Sequence, residues 1–411
     1  MMTFNELHRH VLKAKKDNTP LPKNLTRKEQ HQLDCLLHPD DHPLVWKMDN
    51  CDCKDGSCVA ACTFSALTIK DGQVSFDPEK CTGCAKCIEA CKNENLTFSH
   101  DSVKALELLK DESHPVYALM APAFVGQFGE TATPSRIRTA LKQIGFSGMI
   151  EVAAFADILT LKEALEFYHN MQKPGAFQLT SCCCPVWIRL IRKDFGKIVE
   201  HLPAAVSPMI ACGRVAKQLH KGCRTIFVGP CLAKKAEAKE PDLQGAIDCV
   251  LTFEELDTMF ATFQVDFSHM EEEVKEHSAS AGRLYARTGG VSQAVRECVK
   301  HIDAGCQVDP VCANGVANCK KLLEDILEGN TTGNFFEGMA CNGGCVGGPK
   351  RVIPMEQGKD LVDAYAKKAL YRTPAENPYV IDLIQRLGFF TVEEFLKNSD
   401  ILTRNLNDEA F

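Results

Sequence analysis

Of the 411 residues, 22 are cysteines, and they are grouped rather than scattered. Eight fall between Cys51 and Cys91. Among these, Cys81-x2-Cys84-x2-Cys87-x3-Cys91 has the rhythm by which one tight loop presents three thiolates to a 4Fe–4S cubane and a fourth to a neighbouring cluster. The upstream run Cys51-x-Cys53-x4-Cys58-x3-Cys62 repeats that ending but departs at its start, and neither Cys62 nor Cys91 precedes a proline. Paired cysteines also suit tetrahedral zinc, so two zinc sites are the alternative. The x2, x2, x3 rhythm favours two 4Fe–4S clusters, and two clusters so close in sequence form an electron conduit to a partner region with redox chemistry.

Three further motifs follow. They are Thr180-Ser181-Cys182-Cys183-Cys184-Pro185-Val186-Trp187, Gly229-Pro230-Cys231-Leu232-Ala233-Lys234-Lys235-Ala236-Glu237, and Glu337-Gly338-Met339-Ala340-Cys341-Asn342-Gly343-Gly344-Cys345-Val346-Gly347-Gly348. Each sets cysteine beside small residues or proline at an expected strand end, so thiolates from distant sequence can converge. Glycines 343, 344, 347 and 348 allow the backbone to approach a cluster closely. The cysteines left over, at 35, 212, 223, 249, 298, 306, 312 and 319, are expected to be small buried hydrophobes.

In this order the motifs resemble the signatures of the iron-only (FeFe) hydrogenases, from about Cys51 to Pro349. The resemblance implies an H-cluster: a 4Fe–4S cubane on Cys184, Cys231, Cys341 and Cys345, with Cys345 bridging to a di-iron subsite that carries CO, cyanide and an azadithiolate. It implies that Lys234 hydrogen-bonds a cyanide, with a solvated lysine beside Lys235 as the bland alternative, and that Met339 forms an apolar wall. Ala121, Pro122 and Pro230 would line the subsite. The exchange of fourth ligands seen in ferredoxins would join Cys62 to Cys81, Cys84 and Cys87, and Cys91 to Cys51, Cys53 and Cys58. The implied reaction is H2 ⇌ 2 H⁺ + 2 e⁻, by a monomer of a divergent subgroup with a TSCCCP motif. Ferredoxin or a similar soluble carrier would exchange the electrons, and maturation proteins would supply the di-iron subsite.

The sequence also departs from the family. Most members have two cysteines before the proline, where this chain has three. Cys184 abuts Pro185 and is the expected ligand, Cys183 the expected proton-transfer thiol, and Cys182 and Cys183 could exchange roles. Glu163 and Glu166 match the family's two relay glutamates, and their spacing puts both on one helix face, which a solvated surface would explain equally well. The relay's serine position falls at Pro203, which cannot pass a proton, and a glutamine near the site is replaced by Met209. Gly229 stands where a methionine normally packs on the di-iron subsite, so the pocket should be remodelled.

The elements that must position these residues read as α/β. Strands are expected at Val116 to Met120, Met149 to Ala154, Phe177 to Thr180, Thr225 to Val228 and Cys249 to Leu251. Helices are expected at Ser135 to Ile144, Leu159 to Met171, Val186 to Val199, Pro208 to Leu219 and Phe253 to Phe263, with capping boxes at Thr252/Glu255 and Thr391/Glu394. No internal repeat stands out. The expected organisation is a helical extension over 1–48, a ferredoxin-like two-cluster domain over 49–100, and a catalytic domain over 110–411 of two lobes with mostly parallel sheets flanked by helices.

A net charge of −7 gives no footprint for nucleic acid. No apolar run approaches the roughly 18 residues of a membrane span, and the opening MMTFNELHRHVLKAKK lacks a secretory core, so a cytoplasmic location is expected. Two other readings compete. An iron–sulfur assembly protein of the same family carries clusters without making hydrogen, but its relatives lack a complete MACxGGC segment. A hydrogen-sensing relative usually carries an appended signalling domain, and only helix patterns follow Pro349. The extra thiol generates one prediction: Cys182 or Cys183 tunes oxygen tolerance or proton delivery. Cys182→Ala and Cys183→Ala should between them change turnover or the rate of oxygen inactivation, and no change in either variant would refute it.

Overall fold

The structure, a computed structural model, describes residues 2–49, 56–70, 73–173, 175–180, 183–397 and 399–406. The chain opens with two helices, Phe4–Asp17 and Arg27–Leu37, each started by a reciprocal capping box, Thr3 with Glu6 and Thr26 with Glu29. A strand then follows, β1 (Val45–Lys47), which pairs antiparallel with β4 (Leu96–Phe98). The segment expected to be only helical therefore also closes the small cysteine-rich unit.

Within that unit β2 (Leu67–Lys70) and β3 (Gln73–Phe76) pair antiparallel. Two one-turn helices, Ser57–Ala60 and Lys86–Glu89, each start after a left-handed residue, Gly56 and Ala85, both at φ 64°. Each is followed by a cysteine whose Sγ accepts a backbone N–H four residues on: Ala66 to Cys62 at 3.2 Å and Asn95 to Cys91 at 3.3 Å. This is an internal repeat. Its two copies share so few residues besides cysteine that the sequence alone does not display it.

Two parallel sheets make the larger part. One has the order β6-β5-β8-β9, from β5 (Val116–Met120), β6 (Gly148–Glu151), β8 (Arg224–Gly229) and β9 (Cys249–Thr252). The other has the order β10-β11-β7, from β7 (Gln178–Leu179), β10 (Pro310–Asn314) and β11 (Phe335–Met339). Helices cover both sheets, and β8, β9 and β11 are almost wholly buried, so they read as apolar runs rather than alternations. The α/β architecture with parallel sheets is as expected, and both capping boxes form.

Three expected elements differ. The strand expected over Met149 to Ala154 stops at Glu151, and the helix expected from Leu159 opens at Ala153 and runs to Asn170. That helix is buried on nearly every side, so its first turn, Ala-Ala-Phe-Ala, carries no amphipathic period to distinguish it from a buried strand. The helix expected to Val199 ends at Asp194, and a separate 3-10 turn follows over Gly196–His201. Among the described residues no helix is long and apolar enough to cross a membrane.

The N-terminal helix docks through an aromatic cluster. Phe4 meets Trp46 and His100 edge-on, with ring centroids 5.6 and 5.0 Å away, and His8 Nε2 lies 2.6 Å from Ser102 Oγ. Burial, with lesser repulsion from Arg9 and Lys235, lowers His8 from 6.5 to about 4. An undocked His8 keeps the ordinary value, so docking is at full strength above about pH 6.5 and weakens as pH falls toward 4. The loss reaches about 3 kcal/mol. Amide exchange in Phe4–Asp17 should rise over that window, and His8→Gln, which gains no proton, should reduce the rise, leaving the part owed to the buried His100 beside it.

Candidate active site

Four strand ends meet at one place. Ala121 and Pro122 follow β5, Pro230 and Cys231 follow β8, Cys183 and Cys184 lie beyond β7, and Met339, Ala340, Cys341 and Cys345 lie at and beyond the end of β11. Together they line a cavity of about 80 Å³, completed by Val152, Ala156, Met209, Phe227, Tyr285 and Lys234. Sites at the carboxyl ends of parallel strands follow from the topology, because every crossover leaves its loops on that edge.

The four thiols expected to share a cluster are brought together. Burial pushes the Cys231 thiol up to about 11, and the Cys184 charge adds to it. Burial pushes Cys345 up to about 12 and Cys341 well above the ordinary thiol range, and each also senses Cys231 and Cys184. Thiols held protonated in this way need a positive group to become thiolates. The all-sulfur donor set fits a 4Fe–4S cubane. The turn that carries them is built for close approach. A Cβ at Gly344, whose φ is +88°, would stand 2.6 Å from Thr288 N, and one at Gly347 would stand 1.8 Å from Asn342 O.

Lys234 is buried, and neither it nor Lys235 is solvated. Lys234 Nζ lies 2.6 Å from Glu237 Oε2. Burial alone would lower this ammonium, but the Glu237 charge outweighs it and holds Lys234 above the usual lysine range. Lys235 instead donates to Val250 O at 2.6 Å and pairs with Asp101 and Glu255. Cys183 is half-buried as a residue, and its thiol is raised well above the ordinary range by burial first and then by Cys184, Cys345, Glu337 and Glu163. Glu163 is thus buried near Cys183 rather than on a solvated face, and Glu166 pairs with Lys162 at 2.6 Å. Cys182 lies outside the described residues.

A second thiol quartet sits alongside. Cys81, Cys84 and Cys87 are raised chiefly by burial, and all three also sense Cys62, as the exchange of fourth ligands requires. Cys58 and Cys91 line one small cavity, while Cys51 and Cys53 lie outside the described residues. Gly83, at φ +71°, lets the Cys81–Cys84 loop lie flush on the residue two beyond Cys231: its Cβ would stand 2.9 Å from Ala233 Cα.

Comparison with known proteins agrees with this geometry. Residues 114–349 match the family "Iron only hydrogenase large subunit, C-terminal domain", and residues 74–97 match the "4Fe-4S binding domain". The chain belongs to the iron-only hydrogenase large-subunit family. Iron hydrogenase 1 of Clostridium pasteurianum is 27% identical over 308 residues, 62% of this chain and 53% of that protein. The NADP-reducing hydrogenase subunit HndD of Solidesulfovibrio fructosivorans is 24% identical over 386 residues, 79% of this chain and 66% of that one. The chain therefore spans less than two thirds of either. A cytosolic Fe-S cluster assembly factor of Yarrowia lipolytica is 23% identical over 255 residues, 54% of this chain and 50% of that protein. An FeFe-hydrogenase structure from Chlamydomonas reinhardtii superposes with a TM-score of 0.62 at 20% identity, covering 74% of this chain and 98% of that one, which shows the shared fold.

Gly229 is closely packed. A Cβ at Gly229 would stand 2.8 Å from Phe227 Cε1 and 3.0 Å from Ala121 Cβ, so the Phe227 ring fills the room a longer side chain would take. Sequence reasoning assigned no role to Phe227, Glu237 or Tyr285. The Lys-x-x-Glu spacing of 234 and 237 is a signal for an ion pair on a helix turn; nothing in the sequence points to Phe227 or Tyr285. Cys312 corrects the expectation of a buried hydrophobe. It is exposed on β10, with its Sγ 3.5 Å from Ser292 Oγ. Gly344→Ala should displace the Cys345 turn and lower bound iron by about four atoms per chain, one cubane. Gly358→Ala, whose Cβ has no neighbour nearer than 3.5 Å, should leave iron content unchanged.

Proposed function

We propose that this protein is an FeFe hydrogenase that interconverts H2 with protons and electrons. The observation that carries the reading is the convergence of Cys184, Cys231, Cys341 and Cys345 on one apolar cavity whose described lining carries a single ammonium, Lys234. These cysteines would hold the cubane, with Cys345 toward a di-iron subsite. When bound, that group supplies heterolytic cleavage and formation of H2. The protein's part is to position it and move protons. Lys234 offers N–H donors to an anionic diatomic ligand while Glu237 fixes its ammonium. Met339, Ala121 and Phe227 keep the cavity wall apolar and exclude water. Cys183 holds a proton at Sγ for exchange toward Glu163. Pro203 offers no hydroxyl for the family's next step, so delivery beyond Glu163 takes another course here.

Electrons would cross at the Gly83–Ala233 contact, between the cubane and the Cys62, Cys81, Cys84 and Cys87 cluster, and leave through the second cluster to ferredoxin or a similar soluble carrier. The match over residues 74–97 favours iron–sulfur over zinc in that segment. The proposed division remains an extension over 1–48, a two-cluster domain over 49–100 and a catalytic domain over 110–411, working as a monomer loaded by maturation proteins. A cluster-assembly role is the second reading, favoured by the similarity to the Yarrowia assembly factor. Against it stands the complete Met339-Ala340-Cys341 to Cys345 turn lining a cavity with room beside the thiols.

Infrared spectroscopy of protein matured with its di-iron precursor separates the two. The hydrogenase reading predicts CO and cyanide bands together with hydrogen evolution, both lost in Cys345→Ala while the ferredoxin-type cluster signals persist. Wild-type protein with intact cluster signals but neither bands nor hydrogen would support the assembly role.

A further inference from the structure

Residues 399–406 are strapped across the larger part of the molecule. Ala205 and Thr403 form an antiparallel bridge, the Val206 N–H donates to Leu402 O at 2.9 Å, and the Arg404 N–H donates to Ala204 O at 3.2 Å. The Arg214 guanidinium donates to the carbonyls of Asp400, Ile401 and Thr403 on this segment and to that of Asp242 beside it. Leu402 and Leu406 are buried.

This strap delivers the Arg404 side chain, 3% exposed, to two carboxylates. Its Nη2 lies 2.5 Å from Glu240 Oε2 and 3.1 Å from Asp242 Oδ1, and its Nε lies 3.0 Å from Asp242 Oδ2. Glu240 follows Glu237 by three residues, and the Glu240 N–H donates to Glu237 O at 3.1 Å. Glu237, Glu240 and Arg404 line one small void beside Pro185, the residue after Cys184, which the half-buried Arg189 and Arg192 also line; Arg404 is the most deeply buried of the three guanidinium groups. The arrangement is thus a line of charge from the cavity outward in which two carboxylates are flanked by two cations: Lys234, Glu237, Glu240, Arg404.

Glu237 is buried and Glu240 half-buried, so their like charges repel with little water between them to screen it. Burial raises Glu240 above the usual carboxylate range, Arg404 pulls it down, and Glu237 pushes it up. Without the guanidinium, Glu240 and Glu237 would compete for a proton or splay apart, and in either case Lys234 would lose the partner that fixes its Nζ.

We infer that Arg404 is a positioning residue for the active site, holding Lys234 in place through Glu240 and Glu237, so that the C-terminal strap is part of the catalytic scaffold. What Lys234 faces in the cavity rests on the hydrogenase reading; the charge line itself does not.

The test compares Arg404→Gln, Arg404→Lys and the double variant Arg404→Gln/Glu240→Gln. In unloaded protein, amide exchange over Ala233–Glu237 should rise about tenfold in Arg404→Gln while exchange over Phe4–Asp17 holds. In matured protein, the cyanide bands should shift and turnover should fall about tenfold, with the KM for the electron carrier unchanged. Arg404→Lys, which keeps the charge, and the double variant, which removes the repulsion, should restore all three. Unchanged exchange and unchanged bands in Arg404→Gln, or no rescue by the double variant, would overturn the inference. If Arg404→Gln fails to fold, the double variant decides alone: wild-type exchange over Ala233–Glu237 supports the inference and raised exchange overturns it. Wild-type protein without cyanide bands would defeat the hydrogenase reading, and the exchange arm would still decide the role of Arg404.

Discussion

A thiolate in apolar surroundings is costly, and this fold places four thiols, Cys184, Cys231, Cys341 and Cys345, around one apolar cavity. They are supplied from the ends of three strands, β7, β8 and β11, and burial together with mutual repulsion keeps Cys231, Cys341 and Cys345 from ionising unaided. The surrounding structure answers that constraint. Parallel strands converge so that thiols far apart in sequence can share one positive group. Glycines at 344 and 347 let the backbone close around that group. Lys234 is the buried cation set against the excess of negative charge, and it is tied in turn to Glu237.

The same constraint explains how the smaller unit is attached. A redox group sealed in a dry pocket needs neighbours through which charge can leave, and the second thiol quartet lies directly beside the first. Gly83 is the point of contact, because any side chain there would meet the Ala233 backbone. Cys84 packs against the same apolar cluster as Cys184 and Cys231. The N-terminal helices and β1 then clamp this unit onto the larger one, with the buried His8 at the seam.

Legibility followed chemistry. Cysteine spacing records local ligand geometry, so the Cys81–Cys91 run could be read directly, while the grouping of Cys184, Cys231, Cys341 and Cys345 came from the resemblance to the hydrogenase family; strands such as β5 and β8 announced themselves as apolar runs ending in the motifs. What escaped was set by packing. The helix Ala153–Asn170 lost its first turn to an expected strand because a segment buried on all sides has no period. Lys235 received no role because its partners, Asp101 and Glu255, are distant in sequence. Cys312 is exposed because β10 lies at a sheet edge. The ring of Phe227 over Gly229 follows from a missing Cβ, which shows only in three dimensions.

The central claim is that the Cys184, Cys231, Cys341 and Cys345 quartet holds iron, adjacent to the ferredoxin-type unit. Anomalous diffraction at the iron edge from anaerobically prepared crystals tests it most directly. The account predicts iron density inside that quartet as well as among Cys62, Cys81, Cys84 and Cys87; density at the second group alone, with the four strand-end thiols metal-free in protein purified with its clusters intact, would contradict it.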